Sequence, residues 1–432
     1  MLNGIIVFIV LAAILLGAAT GQMQAVTKAI LDSSIDAAQL AIKLIGVMAF
    51  FLGLMRVAED AGLLRLMARA IGPLMRKLFP SVPSDHPAMS AMILNISANM
   101  LGLANAATPF GIKAIEHLDT LNTRKGTATN AMVLFLAINT AGLAILPTGV
   151  IGLRATLGSE NATAIFLPTW VASGSATIVG ILAAILLSRL PRYRRTQPPD
   201  LPPDQVQVER PGSDEPQLDG AEPRASNWRR LLVAGFWLAF AVLLVLHLMR
   251  SVEPAGDLLR GLLSAWTLPI LVGLLVLFGW SRGVKVYESM VEGAKEGFDV
   301  AKRIIPFLVT ILTAVGMFRA SGGIDLISRW VGPVTSWIGL PAEALPMALL
   351  RPLTGSGAYG VMAEIMTENG PDSFIGYMVS TFQGSTETTF YVLAVYFGAV
   401  GIKRTRHAMP ACLMADAAGI MAAVFIVNLL FG

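Results

Sequence analysis

Apolar segments separated by short polar ones recur along almost the whole chain. Several approach the ~20 residues that an α-helix needs to cross a bilayer, while others are shorter or are broken by glycine, proline and polar residues. The principal segments are 4–20, 43–55, 128–146, 164–187, 231–248, 265–280, 304–318 and 412–431. This pattern predicts an all-α, polytopic membrane protein with several broken helices.

Matching features recur in the two parts of the chain at near-constant spacing, which indicates an internal duplication. Three pairs carry the comparison: Asp32 with Glu292, Gly72-Pro73 with Gly332-Pro333, and Asn139-Thr140 with Ser385-Thr386. The first two pairs are separated by 260 positions and the third by 246. We therefore expect two related membrane repeats.

The distribution of lysine and arginine predicts that the two repeats are inverted in the membrane. Arginines flank both ends of a Pro-, Asp- and Glu-rich segment, which marks a cytoplasmic, disordered linker. The excess of lysine and arginine then alternates between corresponding segments of the two repeats, reversing three times, and one unpaired helix supplies the change of direction. The stretch with Lys28 suits the outside, whereas the basic stretches around Arg65 in the first repeat and Arg404 in the second suit the cytoplasm. The predicted divisions are a first repeat over 1–189, the linker over 190–227, an extra helix with its loop over 228–264, and a second repeat over 265–432. We expect a multi-pass protein of the bacterial inner membrane.

Composition and motifs exclude most other classes of protein. Charged residues form 14% and hydrophobic residues 55% of the 432 residues, against roughly 25% charged in soluble domains. The net charge of +4 is explained by cytoplasmic loops and needs no nucleic acid. The single cysteine, Cys412, leaves no thiolate metal site, and hydrolase, zinc-protease and nucleotide-binding motifs are missing. We expect no enzyme activity, no metal and no cofactor.

Four polar stretches interrupt the apolar sequence and mark the candidate site. We interpret the first (94–109) and third (351–360) as re-entrant hairpins, and the second (137–142) and fourth (382–389) as unwound parts of crossing helices. Broken helices are tolerated at membrane depth only where protein or a water-filled cavity surrounds them. The candidate substrate-binding residues are Asn95, Asn99, Asn105, Thr108, Asn139, Thr140, Arg351, Thr354, Ser356, Gln383, Ser385, Thr386, Glu387 and Thr388.

Ionisable residues inside apolar segments are expensive and usually functional. One interpretation has Arg351 hold a substrate anion while Glu387 carries the coupling proton or part of a sodium site, with Asp416 as a second candidate. The alternative is structural: Arg351 pairs with Glu387, and the Asn, Ser and Thr side chains join helix to helix. Sequence alone leaves both interpretations open.

Sequence motifs in both repeats resemble known families. The first repeat resembles spore maturation protein A through residues 53–55, 85–89 and 99–113, and the second resembles spore maturation protein B through residues 350–357, 370–373 and 383–391. Both belong to the nucleoside recognition, or Gate, group, so the chain is similar to a natural fusion of the two. The resemblance implies a transport or gating role and fixes no substrate; the family often has Asp where Glu387 stands.

Two functions follow as hypotheses. The first is a secondary transporter for a small polar or anionic solute, coupled to protons or sodium, with alternating access between the two repeats. The second is a membrane scaffold for envelope-building or lipid-handling partners. Besides the solute and the lipid bilayer, amphipathic segments in each half leave a homo-oligomer open as a further partner.

Overall fold

The first repeat is helical throughout its main elements. The computed structural model describes residues 2–199, 227–250 and 266–432, which exclude most of the predicted linker and the loop after the extra helix. The helices of the first part are α1 (Leu2–Thr20), α2 (Met23–Asp60), α3 (Leu63–Leu78), α4 (Pro87–Met100), α5 (Ala104–Thr120), α6 (Asn130–Ala141), α7 (Thr148–Thr156), α8 (Phe166–Arg189) and the single turn α9 (Pro191–Arg194). The extra helix is α10 (Asn227–Arg250).

The second part follows the same order of elements. Its helices are α11 (Thr267–Ser281), α12 (Val286–Ala320), α13 (Gly323–Thr335), α14 (Leu345–Leu350), α15 (Gly355–Asn369), α16 (Phe374–Ser385), α17 (Thr389–Val392), which continues as a π-helical turn over Leu393–Phe397, and α18 (Ala408–Phe431). Helices α3 and α13 begin 260 residues apart. Helices α6 and α16 each have 12 residues, and α8 and α18 each have 24. The duplicated order of elements fits the repeat seen in the sequence, whereas the opposite orientation of the halves in a membrane stays a prediction.

The two long helices α2 and α12 pack against each other along their length. Glycines make this close approach possible: a Cβ on Gly53 would lie 2.6 Å from the Met290 carbonyl oxygen, and one on Gly293 would lie 2.6 Å from that of Leu52. A Cβ on Gly297 would meet the backbone of Ala49 at 2.5 Å. As the residue number rises on α12 it falls on α2, so the two helices are antiparallel.

The equivalent helices α8 and α18 form the second close pair. A Cβ on Gly180 would lie 3.1 Å from the Ala415 Cβ, and one on Gly419 would lie 3.2 Å from the Ala176 Cβ. Small residues therefore bring the last helix of each repeat together, next to α6 and α16. This arrangement positions the ends of the two broken helices at the centre of the molecule.

Four helices in the described residues are long and apolar enough to cross a membrane: Met23–Asp60, Phe166–Arg189, Asn227–His247 and Ala408–Phe431. The bent pair Ile305–Ala320 and Gly323–Pro333 makes a fifth if it is one span. Shorter apolar helices, among them Asn130–Ala141, complete the set. The chain is thus an all-α membrane protein that combines full-length spans with shorter, broken helices.

Candidate functional site

Each repeat contains one helical hairpin whose tip lies inside the molecule. In the first repeat the tip is formed by Gly102, which has a φ of +73°. A Cβ added at this position would lie 2.8 Å from the carbonyl oxygen of Leu146, so only glycine fits there. Only glycine takes this left-handed conformation without strain. In the second repeat Thr354 caps helix α15, its hydroxyl accepting a hydrogen bond from the Gly357 amide at 3.1 Å. The two hairpins predicted from the first and third polar stretches are therefore present.

The second and fourth polar stretches end two helices at the centre of the protein. Helix α6 stops at Gly142, which has a φ of +53° and satisfies the last carbonyls as a glycine C-cap does. Helix α16 stops at Ser385, and Thr386 continues in an extended conformation. The Glu387 amide donates to the Thr140 carbonyl oxygen at 2.7 Å. The two helix ends thus cross in direct hydrogen-bonded contact.

A cluster of amides and one phenol lies on the first-repeat side of this crossing. Asn99 donates from Nδ2 to Asn139 Oδ1 at 3.0 Å, and the Tyr396 hydroxyl lies 3.5 Å from the same oxygen. Asn95 donates to the Ala107 carbonyl at 2.7 Å and to the Tyr396 hydroxyl at 3.3 Å. Because Tyr396 comes from the second repeat, this cluster joins the halves. We call it the amide cluster.

Arg351 holds the unwound segment on the second-repeat side. Its Nη1 donates to Thr388 Oγ1 at 3.2 Å, and its Nη2 donates to the carbonyl oxygen of Thr386. The Glu387 carboxylate lies 3.8 Å from Nη2. The Arg351 side chain is 3% exposed whereas that of Glu387 is 55% exposed. The pair that the sequence left open is therefore formed, but its two members face different surroundings.

Asp416 is the buried carboxylate of this region. It lies on α18 and is 2% exposed, and its Oδ2 accepts a hydrogen bond from Thr389 Oγ1 at 2.6 Å. Thr389 begins the helix that follows the unwound segment. Asp416 consequently anchors the far end of the segment that Arg351 holds at its near end.

The other candidate residues differ in how deeply they are buried. Thr140 and Ser385 are buried at the helix ends, and Ser385 Oγ donates to the Phe382 carbonyl at 2.9 Å. Thr108, Ser356 and Gln383 are half-buried. The side chain of Asn105 lies outside the described residues.

Sequence reasoning missed Arg154, the largest fully buried side chain in the described residues. Its Nη2 lies 2.7 Å from Asp372 Oδ1 and its Nη1 donates to the Pro371 carbonyl at 2.6 Å. Its guanidinium also lies 4.6 Å from the ring centre of Tyr377. Arg154 lies in the last turn of α7 in the first repeat and reaches the residues just before α16 in the second. The signal was a lone arginine in an apolar helix, with an unassigned aspartate in the other repeat.

Arg406 makes the reciprocal contact. Its Nη1 donates to Asn130 Oδ1 at 2.8 Å and to the Ala128 carbonyl at 3.1 Å, and its Nη2 donates to the Tyr193 carbonyl at 2.8 Å. Asn130 is the first residue of α6. An arginine of each repeat therefore holds the start of the broken helix of the other repeat. Among the described residues no group of three or more His, Cys, Asp or Glu side chains could hold a metal ion.

Comparison with known proteins gives relatives for both halves. The chain is 49% identical to spore maturation protein B of Bacillus subtilis (strain 168) over 170 residues, which are 39% of this chain and 96% of that protein. It is 38% identical to spore maturation protein A of the same organism over 195 residues, 45% of this chain and 97% of that protein. The two matches cover different parts of the chain, as expected for a fusion of an A-like and a B-like protein.

Among solved structures, one that aligns with the chain is that of the YdaH transporter of Alcanivorax borkumensis, described as having an unusual topology. It aligns with 98% of this chain and 96% of its own at a TM-score of 0.45 and 14% sequence identity. The nucleoside recognition family, Gate, matches residues 41–157 and 301–403, just over half of the chain. These segments contain both hairpins, both broken helix ends, Arg351 and Glu387. The chain belongs to the nucleoside recognition (Gate) family.

Proposed function

We propose that this protein is a secondary transporter for a small polar solute in the bacterial inner membrane, and that the solute binds where the ends of α6 and α16 cross. The observation that carries the proposal is the hydrogen bond from the Glu387 amide to the Thr140 carbonyl, with the amide cluster on one side and Arg351 on the other. Helices broken at such a point expose backbone groups and polar side chains that a solute can use.

The half-exposed carboxylate of Glu387 supports an aqueous cavity at this point. A charged side chain facing hydrocarbon is strongly unfavourable, so Glu387 needs water or a solute beside it. Its neighbours Thr386 and Thr388 are buried, at 2% and 4% exposure. The segment therefore turns one charged side chain towards the proposed cavity and keeps the rest inside the protein.

The contacts of Arg154 and Arg406 support alternating access as the mechanism. Each arginine joins its own repeat to the start of the other repeat's broken helix. If the repeats are inverted, these two contacts lie at opposite faces of the membrane, and releasing one while keeping the other opens the central site to one face at a time.

Uptake into liposomes tests the proposal. We expect the purified protein to accumulate at least one solute from a broad metabolite panel, nucleosides included because of the family's description, when a proton or sodium gradient is applied. Asn139→Ala should abolish this uptake while the protein remains folded, and Thr20→Ala, at the exposed end of α1, is the matched control.

The scaffold hypothesis predicts a different result. Stable co-purification of envelope proteins, with function retained after Asn139, Ser385 and Glu387 are each changed to alanine, would favour a scaffold. Absence of both flux and solute-induced thermal stabilisation across the panel would argue against transport.

A further inference from the structure

The charged group that the central crossing offers to a solute is a carboxylate, because the guanidinium beside it is buried and both of its terminal nitrogens are hydrogen bonded. Arg351 is 3% exposed, and both of its terminal nitrogens are hydrogen bonded, one to a threonine hydroxyl and one to a backbone carbonyl. An anion would have to displace both contacts and the neighbouring Glu387 carboxylate to reach it. Arg351 therefore positions the unwound segment and is poorly placed to bind an anionic solute.

Glu387 has the opposite character. Its carboxylate is 55% exposed and is 3.8 Å from the guanidinium, which is longer than a charge-assisted hydrogen bond. Its backbone is fixed by the hydrogen bond to the Thr140 carbonyl, and its Cγ lies against Gly142, where an added Cβ would be 3.0 Å away. The side chain is thus held in place at its base and free at its acceptor end.

Neighbouring side chains add unused acceptors. The Oδ1 atom of Asn95 and the Oε1 atom of Gln383 are buried and receive no hydrogen bond from the residues that the structure describes. The Thr140 and Thr386 hydroxyls and the Arg351 Nε also have no partner there; a hydroxyl can donate or accept, whereas Nε can only donate. The Asn95 amide nitrogen is already committed to Ala107 and Tyr396, which fixes the oxygen's direction. Buried acceptors normally have a partner, so these atoms favour a ligand that brings donors.

The charges at the crossing also favour a ligand that brings donors and positive charge. The charge of Arg351 already faces the Glu387 carboxylate at 3.8 Å, and the buried Asp416 carboxyl group accepts a hydrogen bond from Thr389. A dicarboxylate or phosphate ester would bring further negative charge next to the exposed Glu387 carboxylate. An ammonium group supplies up to three donors and a positive charge.

We infer that the solute carries a positively charged amino group, as a free amine or a zwitterion, and that Glu387 binds this group. The inference rests on the proposed function and names the class of its substrate. It replaces the anionic solute considered from the sequence with a cationic or zwitterionic one, and it assigns Arg351 as a positioning residue.

Thermal unfolding and liposome uptake, measured with the same full-length protein, test this inference. The probes are ethanolamine, the amino acids and short peptides as amines; succinate and glycerol phosphate as anions; and glycerol as a neutral polyol. We expect stabilisation and gradient-driven uptake with members of the amine set only. Glu387→Gln should weaken the amine response at least tenfold, and Glu387→Asp should retain part of it because the charge remains.

Glu116→Gln is the matched control, since Glu116 is an exposed carboxylate near the C-terminal end of α5, and we expect the wild-type response. Uptake of anions or glycerol without amines would overturn the inference and leave the proposed transport function standing. An amine response that Glu387→Gln leaves unchanged would also overturn it. No flux of any class would instead remove the proposed function itself.

Discussion

Arg154 shows how much of this protein depends on single buried charges. The side chain is completely buried, and its positive charge is balanced by Asp372 and by carbonyl and hydroxyl oxygens. Removing one member of such a pair leaves the remaining polar groups without their partner, which is far more costly than loss of a surface ion pair.

We expect Arg154→Met to lower the free energy of unfolding by about 3–5 kcal/mol, as for other broken buried pairs. Unfolding of the purified protein in detergent, followed by intrinsic fluorescence, measures the change. Arg404→Met is the matched control because Arg404 is exposed; it should change the stability by less than about 1 kcal/mol. Equal effects of the two substitutions would contradict this account of Arg154.

His407 gives the protein a pH-dependent stability. It lies just before the span Ala408–Phe431, it is fully buried against Tyr193, and burial together with the nearby charge of Arg406 lowers the pKa of its imidazole to about 4. An unfolded histidine titrates near 6.5. Between these values the unfolded chain binds a proton that the folded protein does not, so stability is complete above about pH 6.5 and falls as the pH decreases towards 4.

We therefore expect the thermal midpoint to fall between pH 6.5 and 4.5, and His407→Phe to reduce that dependence while keeping the ring contact with Tyr193. Thermal midpoints of the wild type and the variant, measured across this pH range, test this expectation. The control is His247→Phe, at an exposed position of α10. An identical pH dependence for wild type and His407→Phe would rule out this role.

At the scale of elements, the ends of the broken helices depend on glycines in left-handed conformations. Gly142 has a φ of +53°, and a Cβ there would lie 3.0 Å from both the Cγ and the amide nitrogen of Glu387. Gly158 is also left-handed, with a φ of +82°, but nothing lies within 4 Å of an added Cβ. The two positions therefore separate backbone strain from the crowding of the crossing.

Gly158→Ala should cost about 1–2 kcal/mol through the left-handed backbone alone. We expect Gly142→Ala to cost about 1–3 kcal/mol more because the crossing is overpacked, and to abolish transport because Glu387 moves. Unfolding and uptake measurements on both variants test this. Gly142→Ala with the stability and uptake of Gly158→Ala would contradict the tight crossing described here.

The helix ends were predictable from the sequence because their signals are local. Gly102, Gly142 and the Arg351-Pro352 step interrupt apolar runs, and glycine and proline end helices for reasons contained in the residue itself. Tyr396 and Arg154 were not predictable in the same way. The partners Asn95 and Asn139 of Tyr396, and Pro371 of Arg154, lie more than 200 residues away in the sequence. The Pro371 partner is moreover a backbone carbonyl, which no sequence pattern distinguishes.

At the scale of the whole molecule, the contacts around Arg406 gather several basic segments at one end. The Tyr193 carbonyl accepts from Arg406, and the amides of Lys403 and Arg404 donate to the Gly126 carbonyl. The segments near 193 and 403 are two that the charge distribution assigns to the cytoplasm. The order of the elements was predictable from the sequence, whereas the cytoplasmic position of these segments stays a prediction. The pairing of α2 with α12 was not predictable, because many apolar helix faces offer similar packing.

Cysteine labelling in intact cells tests most directly whether two oppositely oriented halves meet at the central crossing. Single cysteines replace Arg65, Arg404 and, as an external reference, the exposed Lys28; native Cys412 is buried and is changed to alanine. The account predicts that an impermeant maleimide modifies the cysteine at position 28 and reaches those at 65 and 404 only after the membrane is opened. Labelling of 65 and 404 from opposite sides of the membrane would contradict the inverted arrangement and the solute site that depends on it.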